Sequence, residues 1–118
     1  MISILIMEVK LSTKLNELGL FAKKSYKTND IIFVLSGKEY NHPTRETIYV
    51  GKNIHIHDKN GMYMNHSFNP TTSIDGSNVV ALVDIVSGDE LTFDYNKNEI
   101  NMAAPFVADG VLVSGQKD

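Results

Sequence analysis

Nowhere in this chain does an apolar pattern with the 3.6-residue period of an amphipathic helix persist for three turns. What recurs instead are short apolar or β-branched runs punctuated by Gly, Pro, Asn and Asp, the pattern of many short strands. Ile2 to Leu11 reads as the first strand, followed by a polar stretch, Ser12 to Glu17, and the compact segment Gly19-Leu20-Phe21-Ala22. Ile31 to Leu35 is an unbroken apolar run ended by Ser36-Gly37, which predicts a strand buried on both faces. Asn41-His42-Pro43 marks residues 38–46 as loop, because proline disfavours helix at the residue before it. Thr47 to Val50 and Asn53 to His57 read as two strands joined at Gly51-Lys52, and Asp58-Lys59-Asn60-Gly61 as a turn. Asp75-Gly76 marks a hairpin ahead of the β-branched run Asn78 to Val86. Helix is limited to a turn or two around Asn98 to Ala104, and Gly110 to Ser114 reads as a spare strand that could pair with a second copy, predicting a homodimer. The expected fold class is mostly β.

A chain of 118 residues suits one domain, 1–118, and a domain of that size buries roughly two-thirds of its unfolded surface. The absence of cysteine excludes disulfides, thiolate zinc sites and a cysteine nucleophile. Eleven Lys and Arg against fourteen Asp and Glu give a net charge of −3, with Arg45 the only arginine. That disfavours direct nucleic-acid binding, which needs clustered cations to neutralise phosphates, and suits a basic protein segment as partner. The apolar run at Ile2 to Met7 is too short to span a bilayer and has no preceding Lys or Arg, so a soluble intracellular protein without membrane attachment is expected.

Three groups of residues can carry chemistry. The run Leu91-Thr92-Phe93-Asp94-Tyr95 alternates, which predicts Leu91, Phe93 and Tyr95 on one face and Thr92 and Asp94 on the other. Tyr95 is then either a core-edge tyrosine or a phenol aimed into a cavity. Met62 to Pro70 follows neither a period of 2 nor one of 3.6, and its Asn65-His66-Ser67 and Asn69-Pro70 mark a loop with locally tied polar groups, able to offer main-chain groups to a ligand. His55 and His57 share one strand face, but nothing supplies the further ligands a metal needs, so exposed strand histidines and no metal are expected. Asp89 and Glu90 read as solvated turn residues.

Gly19-Leu20-Phe21-Ala22, Asn65-His66-Ser67-Phe68-Asn69-Pro70 and Gly88-Asp89-Glu90-Leu91-Thr92-Phe93-Asp94-Tyr95, in that order, resemble the SET-domain lysine methyltransferases. The similarity runs over roughly residues 15–96, leaving a tail at 97–118, and the length resembles minimal stand-alone members from viruses and microbes. The resemblance implies a β-clip fold of small curved sheets with a C-terminal pseudoknot. It implies S-adenosylmethionine as cofactor, held by the loop of Glu17, Leu18 and Gly19 and by Asn65 and His66, the latter mainly through its backbone. Tyr95 would be the catalytic tyrosine beside the methyl group. Phe93, Leu35 and Phe106 would line the lysine channel, with Phe93 at a position where phenylalanine goes with higher methylation states. The implied partner is a basic lysine-containing protein segment such as a histone tail.

Some positions depart from the family pattern. Glu17 stands where the first glycine of the Gly-x-Gly loop is usual, Met62-Tyr63 replaces Arg-Phe, and Phe68 and Thr71 replace a cysteine and an asparagine. Leu35 occupies the place of a channel tyrosine. These departures leave two alternatives: a SET-like module that binds cofactor or peptide without transferring methyl groups, and a small β-clip structural protein.

Overall fold

The structure, a computed structural model, describes residues 6–12 and 17–116. The chain folds into several small sheets around one core rather than one large sheet. An antiparallel pair, β1 (Met7–Ser12) and β2 (Glu17–Ala22), stands at one side. β3 (Ile31–Val34) pairs with β9 (Asn78–Ala81), which pairs in turn with β8 (Thr72–Asp75). β4 (Lys38–Tyr40) and β5 (Ile48–Gly51) flank β6 (Ile54–His57). β7 (Asn65–His66) lies parallel to β10 (Thr92–Phe93), a short helix α1 (Tyr95–Asn98) follows, and β11 (Phe106–Ala108) forms a hairpin with β12 (Val111–Val113). Leu20, Ile32, Met64, Val79, Ile85 and Leu91 meet in the core. Among the described residues no helix is long and apolar enough to cross a membrane.

The turns follow local chemistry. Asp75 pairs with Asn78 across the two-residue loop Gly76-Ser77, with Gly76 at positive φ as such a hairpin requires. The β5–β6 connection runs through Gly51, Lys52 and Asn53, all at positive φ. Buried Asp58 takes the place of a missing ladder where β6 ends. Its carboxylate accepts from the Ser36, Asn60 and Gly61 backbone N–H groups at 2.9, 2.7 and 2.7 Å, tying the ends of β3 and β6 to the turn. Asp58→Ala strands these donors, so a loss of about 3 kcal/mol is expected, read as a lower urea midpoint with unchanged slope.

Several expectations need correction. Ile31 to Leu35 is not buried on both faces: Ile32 and Leu35 are buried while Ile31 and Val34 are exposed, because β3 is an edge strand with only β9 beside it. The run from Asn78 stops being a strand at Ala81, and Val83 and Val86 are exposed. Residues 38–40, read as loop, form β4. His55 is buried against the ring of Tyr49 rather than exposed, while His57 is half-buried. Helix occurs at Tyr95–Asn98 rather than at 98–104, since Asp94 caps it one residue ahead of Tyr95. Residues 111–113 are no spare strand; they are taken up by β11. Residues 2–5 of the first predicted strand and 13–16 of the polar stretch lie outside the described residues, whereas Ser12 and Glu17 belong to β1 and β2.

Candidate active site

The site grows from the parallel pairing of β7 with β10, which sets Asn65 beside Thr92 and His66 beside Phe93. Such a pairing is only two residues long, so side chains reinforce it. The Thr71 hydroxyl donates to Glu90 O at 2.8 Å and accepts from Thr92 N–H at 3.0 Å; the Thr72 hydroxyl donates to Thr92 O at 2.7 Å. Thr92 and Asp94 are therefore buried along with Leu91 and Phe93, so both faces of this strand are covered.

Asp94 ends the strand and starts the helix: its carboxylate accepts from Asn96 N–H at 2.9 Å. Tyr95 is thereby delivered to the first helical position and pinned at both ends to the segment 64–66. Its backbone N–H donates to His66 Nδ1 at 3.0 Å and its hydroxyl donates to Met64 O. An Nδ1 that accepts leaves the imidazole proton on Nε2, which has no hydrogen-bond partner among the described residues. Burial holds His66 below the usual histidine pKa, against the opposing pull of Asp94 and Asp109. The Tyr95 phenol is pushed well above its ordinary value by burial and then by the charges of Glu99, Glu17 and Glu90, so it stays protonated at neutral pH.

Asn65 is fixed from the other side. Its Nδ2 donates to Leu18 O at 3.0 Å and to Glu90 Oε2 at 2.9 Å, while Ser12 donates to Glu90 Oε1 at 2.9 Å. With both amide protons engaged, the Asn65 carbonyl oxygen is left without a hydrogen-bond partner among the described residues. Gly19 is required at this spot: a Cβ there would lie 2.6 Å from Glu90 Oε2 and 3.1 Å from Asn65 Nδ2. Glu90, read from sequence as a solvated turn residue, is thus a part of the site, whereas Asp89, half-buried like Glu90, accepts from Val86 N–H within the turn.

Tyr95 separates two cavities. One is a narrow slot of about 50 Å³ whose walls include Ile48, Gly61, Met62, Phe93, Met102 and Glu99. The other is a wide cleft of about 550 Å³ bordered by Glu17, Asn65, His66, Met102 and Phe106. Tyr95, Arg45, Met102 and Ala104 border both. Beyond His66 and Phe106 the cleft opens into a further hollow along Phe68 and Glu90. Glu17, Asn65, His66 and Tyr95, expected at the cofactor, therefore share one cleft, which Leu18 and Gly19 adjoin through their contacts with Asn65; Phe106, expected in the lysine channel, borders this cleft and not the slot. Phe93 lines the slot, its ring 4.7 Å from that of Tyr95. Leu35 does not follow the expectation. It is a core residue, 2% exposed, set behind Gly61, where a Cβ would meet its Cδ2 at 2.7 Å.

A family model described as the SET domain matches residues 17–96. The chain belongs to the SET-domain family. No curated protein matches it in sequence. Among solved structures, this SET domain is similar to that of a candidate histone methyltransferase from Plasmodium falciparum, at 26% identity over 75% of this chain and 91% of that one, with a TM-score of 0.59. The family match ends one residue after Tyr95, so the slot and cleft walls contributed by Glu99, Met102 and Phe106 belong to the part of this SET domain beyond it.

Sequence reading missed Glu90 and Glu99. For Glu99 a signal was available, since it follows Tyr95 at i, i+4 and so shares its helix face. For Glu90 there was none, because the neighbouring Asp89 has the same character yet is engaged by the turn rather than by Asn65.

The two buried histidines make stability depend on pH. Burial also lowers the pKa of His55, whose Nδ1 has no partner among the described residues. The unfolded chain takes up protons near the ordinary histidine value of 6.5 that the folded chain refuses, so stability present above that pH is lost as the pH falls through and below it. Glu99, raised by burial, works in the opposite sense at lower pH. The expected result is that His55→Phe flattens the acid-side decline relative to the unaltered chain, as read from urea titrations between pH 7.5 and about 5.

Proposed function

We propose that this SET domain is a protein-lysine N-methyltransferase that uses S-adenosylmethionine. The observation that carries the reading is the position of Tyr95, whose side chain borders both the narrow slot and the wide cleft. The wide cleft fits the cofactor in size and in chemistry. Its volume falls within the range of small-molecule sites, and it combines acceptors for cationic groups, the Asn65 carbonyl and the Glu17 carboxylate, with the apolar ring of Phe106. Bound there, S-adenosylmethionine supplies an electrophilic methyl group on a sulfonium.

The remaining work falls to the chain. Asn65 and the Leu18 carbonyl hold the amino-acid end, His66 presents its backbone, and Phe106 covers an apolar face. The slot admits an unbranched side chain and strips its water. A lysine amine, with an ordinary pKa of about 10.4, is thereby pushed toward the neutral, nucleophilic form. The Tyr95 hydroxyl commits its proton to Met64 O, so its oxygen lone pairs are left for the boundary between slot and cleft. Alignment and preorganised oxygen acceptors are what such a transfer asks of a protein, and no strong general base is needed.

The substrate class in this reading is a basic, lysine-containing protein segment, histone tails first. The net charge of −3 and the similarity to the candidate histone methyltransferase of Plasmodium falciparum support it. The knot-like crossing of the C-terminal part belongs to the same reading, as does an intracellular setting. A second reading, binding without transfer, has one observation in its favour: the Glu17 side chain stands at the cleft wall where the family pattern has glycine. The deciding experiment incubates the protein with methyl-labelled S-adenosylmethionine and recombinant core histones. Label on lysine supports transfer, whereas calorimetric binding of S-adenosylhomocysteine without label on histones or cell-extract proteins favours the second reading.

A further inference from the structure

Glu99 is a buried carboxylate that nothing above employs. It is 5% exposed, yet it borders the same narrow slot as Tyr95, Phe93 and Met102. One of its oxygens is fully committed: Oε2 accepts from Tyr49 N–H at 3.0 Å and from Asn98 Nδ2 at 2.8 Å. The other, Oε1, has no hydrogen-bond partner among the described residues and is not one of the polar atoms closed off from solvent. No ion pair involves Glu99 among the described residues. A buried carboxylate with a free oxygen on a cavity wall is costly unless a cationic or donor group arrives to meet it. The slot wall combines the apolar side chains of Ile48, Met62, Met64, Phe93 and Met102 with Thr44 and Thr47, and the exposed Arg45 and Glu46 border it as well. With Arg45 and Glu46 exposed and Glu99 buried, the apolar stretch and the buried Glu99 carboxylate together match an alkyl chain ending in a cation.

We infer that Glu99 is the group by which this site selects lysine, its Oε1 receiving the side-chain ammonium as lysine enters the slot. This rests on the methyltransferase reading for the slot's use, and it adds the residue that discriminates lysine from other unbranched side chains. The helix places Glu99 for the task. It follows Tyr95 at i, i+4, with its backbone N–H donating to Tyr95 O at 2.8 Å, so recognition and methyl-site residues ride on one rigid turn. Burial raises the Glu99 pKa, opposed by the bonds from Tyr49 and Asn98, as fits a carboxylate whose counter-charge is supplied from outside. Glu99 recognises the charged form and so does not itself promote deprotonation; that falls to the dehydrated stretch beside Tyr95.

The test uses two probes, N-acetyl-lysine methylamide and its norleucine analogue, which lacks the ammonium. Binding is followed by NMR at the methionine methyls, of which Met62, Met64 and Met102 border the slot. The lysine probe is expected to bind at least about tenfold more tightly than the norleucine probe, the worth of one charge-assisted hydrogen bond in a dry site. In Glu99→Gln, which keeps an acceptor for Tyr49 and Asn98, the preference should shrink to within about twofold. Equal binding of the two probes by the unaltered chain, no response at the slot methionines, or a preference that survives in Glu99→Gln would each overturn the inference. Should Glu99→Gln fail to fold, the Glu99 carboxyl carbon resonance of the unaltered chain decides: it should move with the lysine probe and stay still with the norleucine probe. Binding of S-adenosylhomocysteine, measured separately, distinguishes loss of this inference from loss of the methyltransferase reading.

Discussion

Tyr95→Phe is expected to lower methyl transfer to histones by at least about 100-fold while the protein remains folded. The substitution removes one atom, and that atom is the polar group at the boundary between slot and cleft. The backbone N–H of residue 95 still reaches His66 Nδ1, and Asp94 still caps the helix, so the ring keeps its place. The lost bond to Met64 O costs stability on the order of 1 kcal/mol. Initial rates with labelled cofactor, read beside a thermal melt, separate the two effects. Transfer retained within about threefold would remove Tyr95 from the chemistry. Because the phenol is pushed well above its ordinary pKa, any alkaline change in rate near neutrality belongs to another group, the substrate amine first.

The largest effect on stability is expected at Gly37, far from the cleft. Its φ of +145° is closed to most side chains, and a Cβ there would stand 2.0 Å from the backbone oxygen of His57. Neither atom can yield, since His57 pairs with Lys38 in the β4–β6 ladder. Gly37→Ala is therefore expected to cost at least about 3 kcal/mol and to lower the melting temperature by more than ten degrees in a chain of this size. A melting temperature within about three degrees of the unaltered protein would show that the β3–β4 crossing relaxes far more than the geometry allows.

Much of this architecture is legible in the residues themselves. The β-rich character, the hairpins at Gly51-Lys52 and Asp75-Gly76, and the Asn65-His66 and Tyr95 motifs all follow from local chemistry or from resemblance to the SET family. What escaped was decided by partners distant in sequence. Ile31 and Val34 are exposed because only one strand lies beside β3, and no apolar run announces how many neighbours it will have. His55 is buried because Tyr49, on the neighbouring strand, covers it. Glu90 turns inward because Ser12 and Asn65, from two other segments, offer donors to its carboxylate. Leu35 leaves the slot because Gly61 provides a vacancy in the core that a leucine fills. In each case the pattern within the segment is satisfied equally well by either outcome, and packing chooses.

The short parallel union of β7 with β10 has a bearing on biosynthesis. The asparagine and histidine of β7 leave the ribosome well before the strand and tyrosine that complete them, and nothing local can stand in for that late arrival. A nascent chain halted ahead of Leu91 carries most of the core residues and an incomplete site, with the β7 edge unpaired. The site in this protein thus comes together late in synthesis, when residues 92–95 dock on β7.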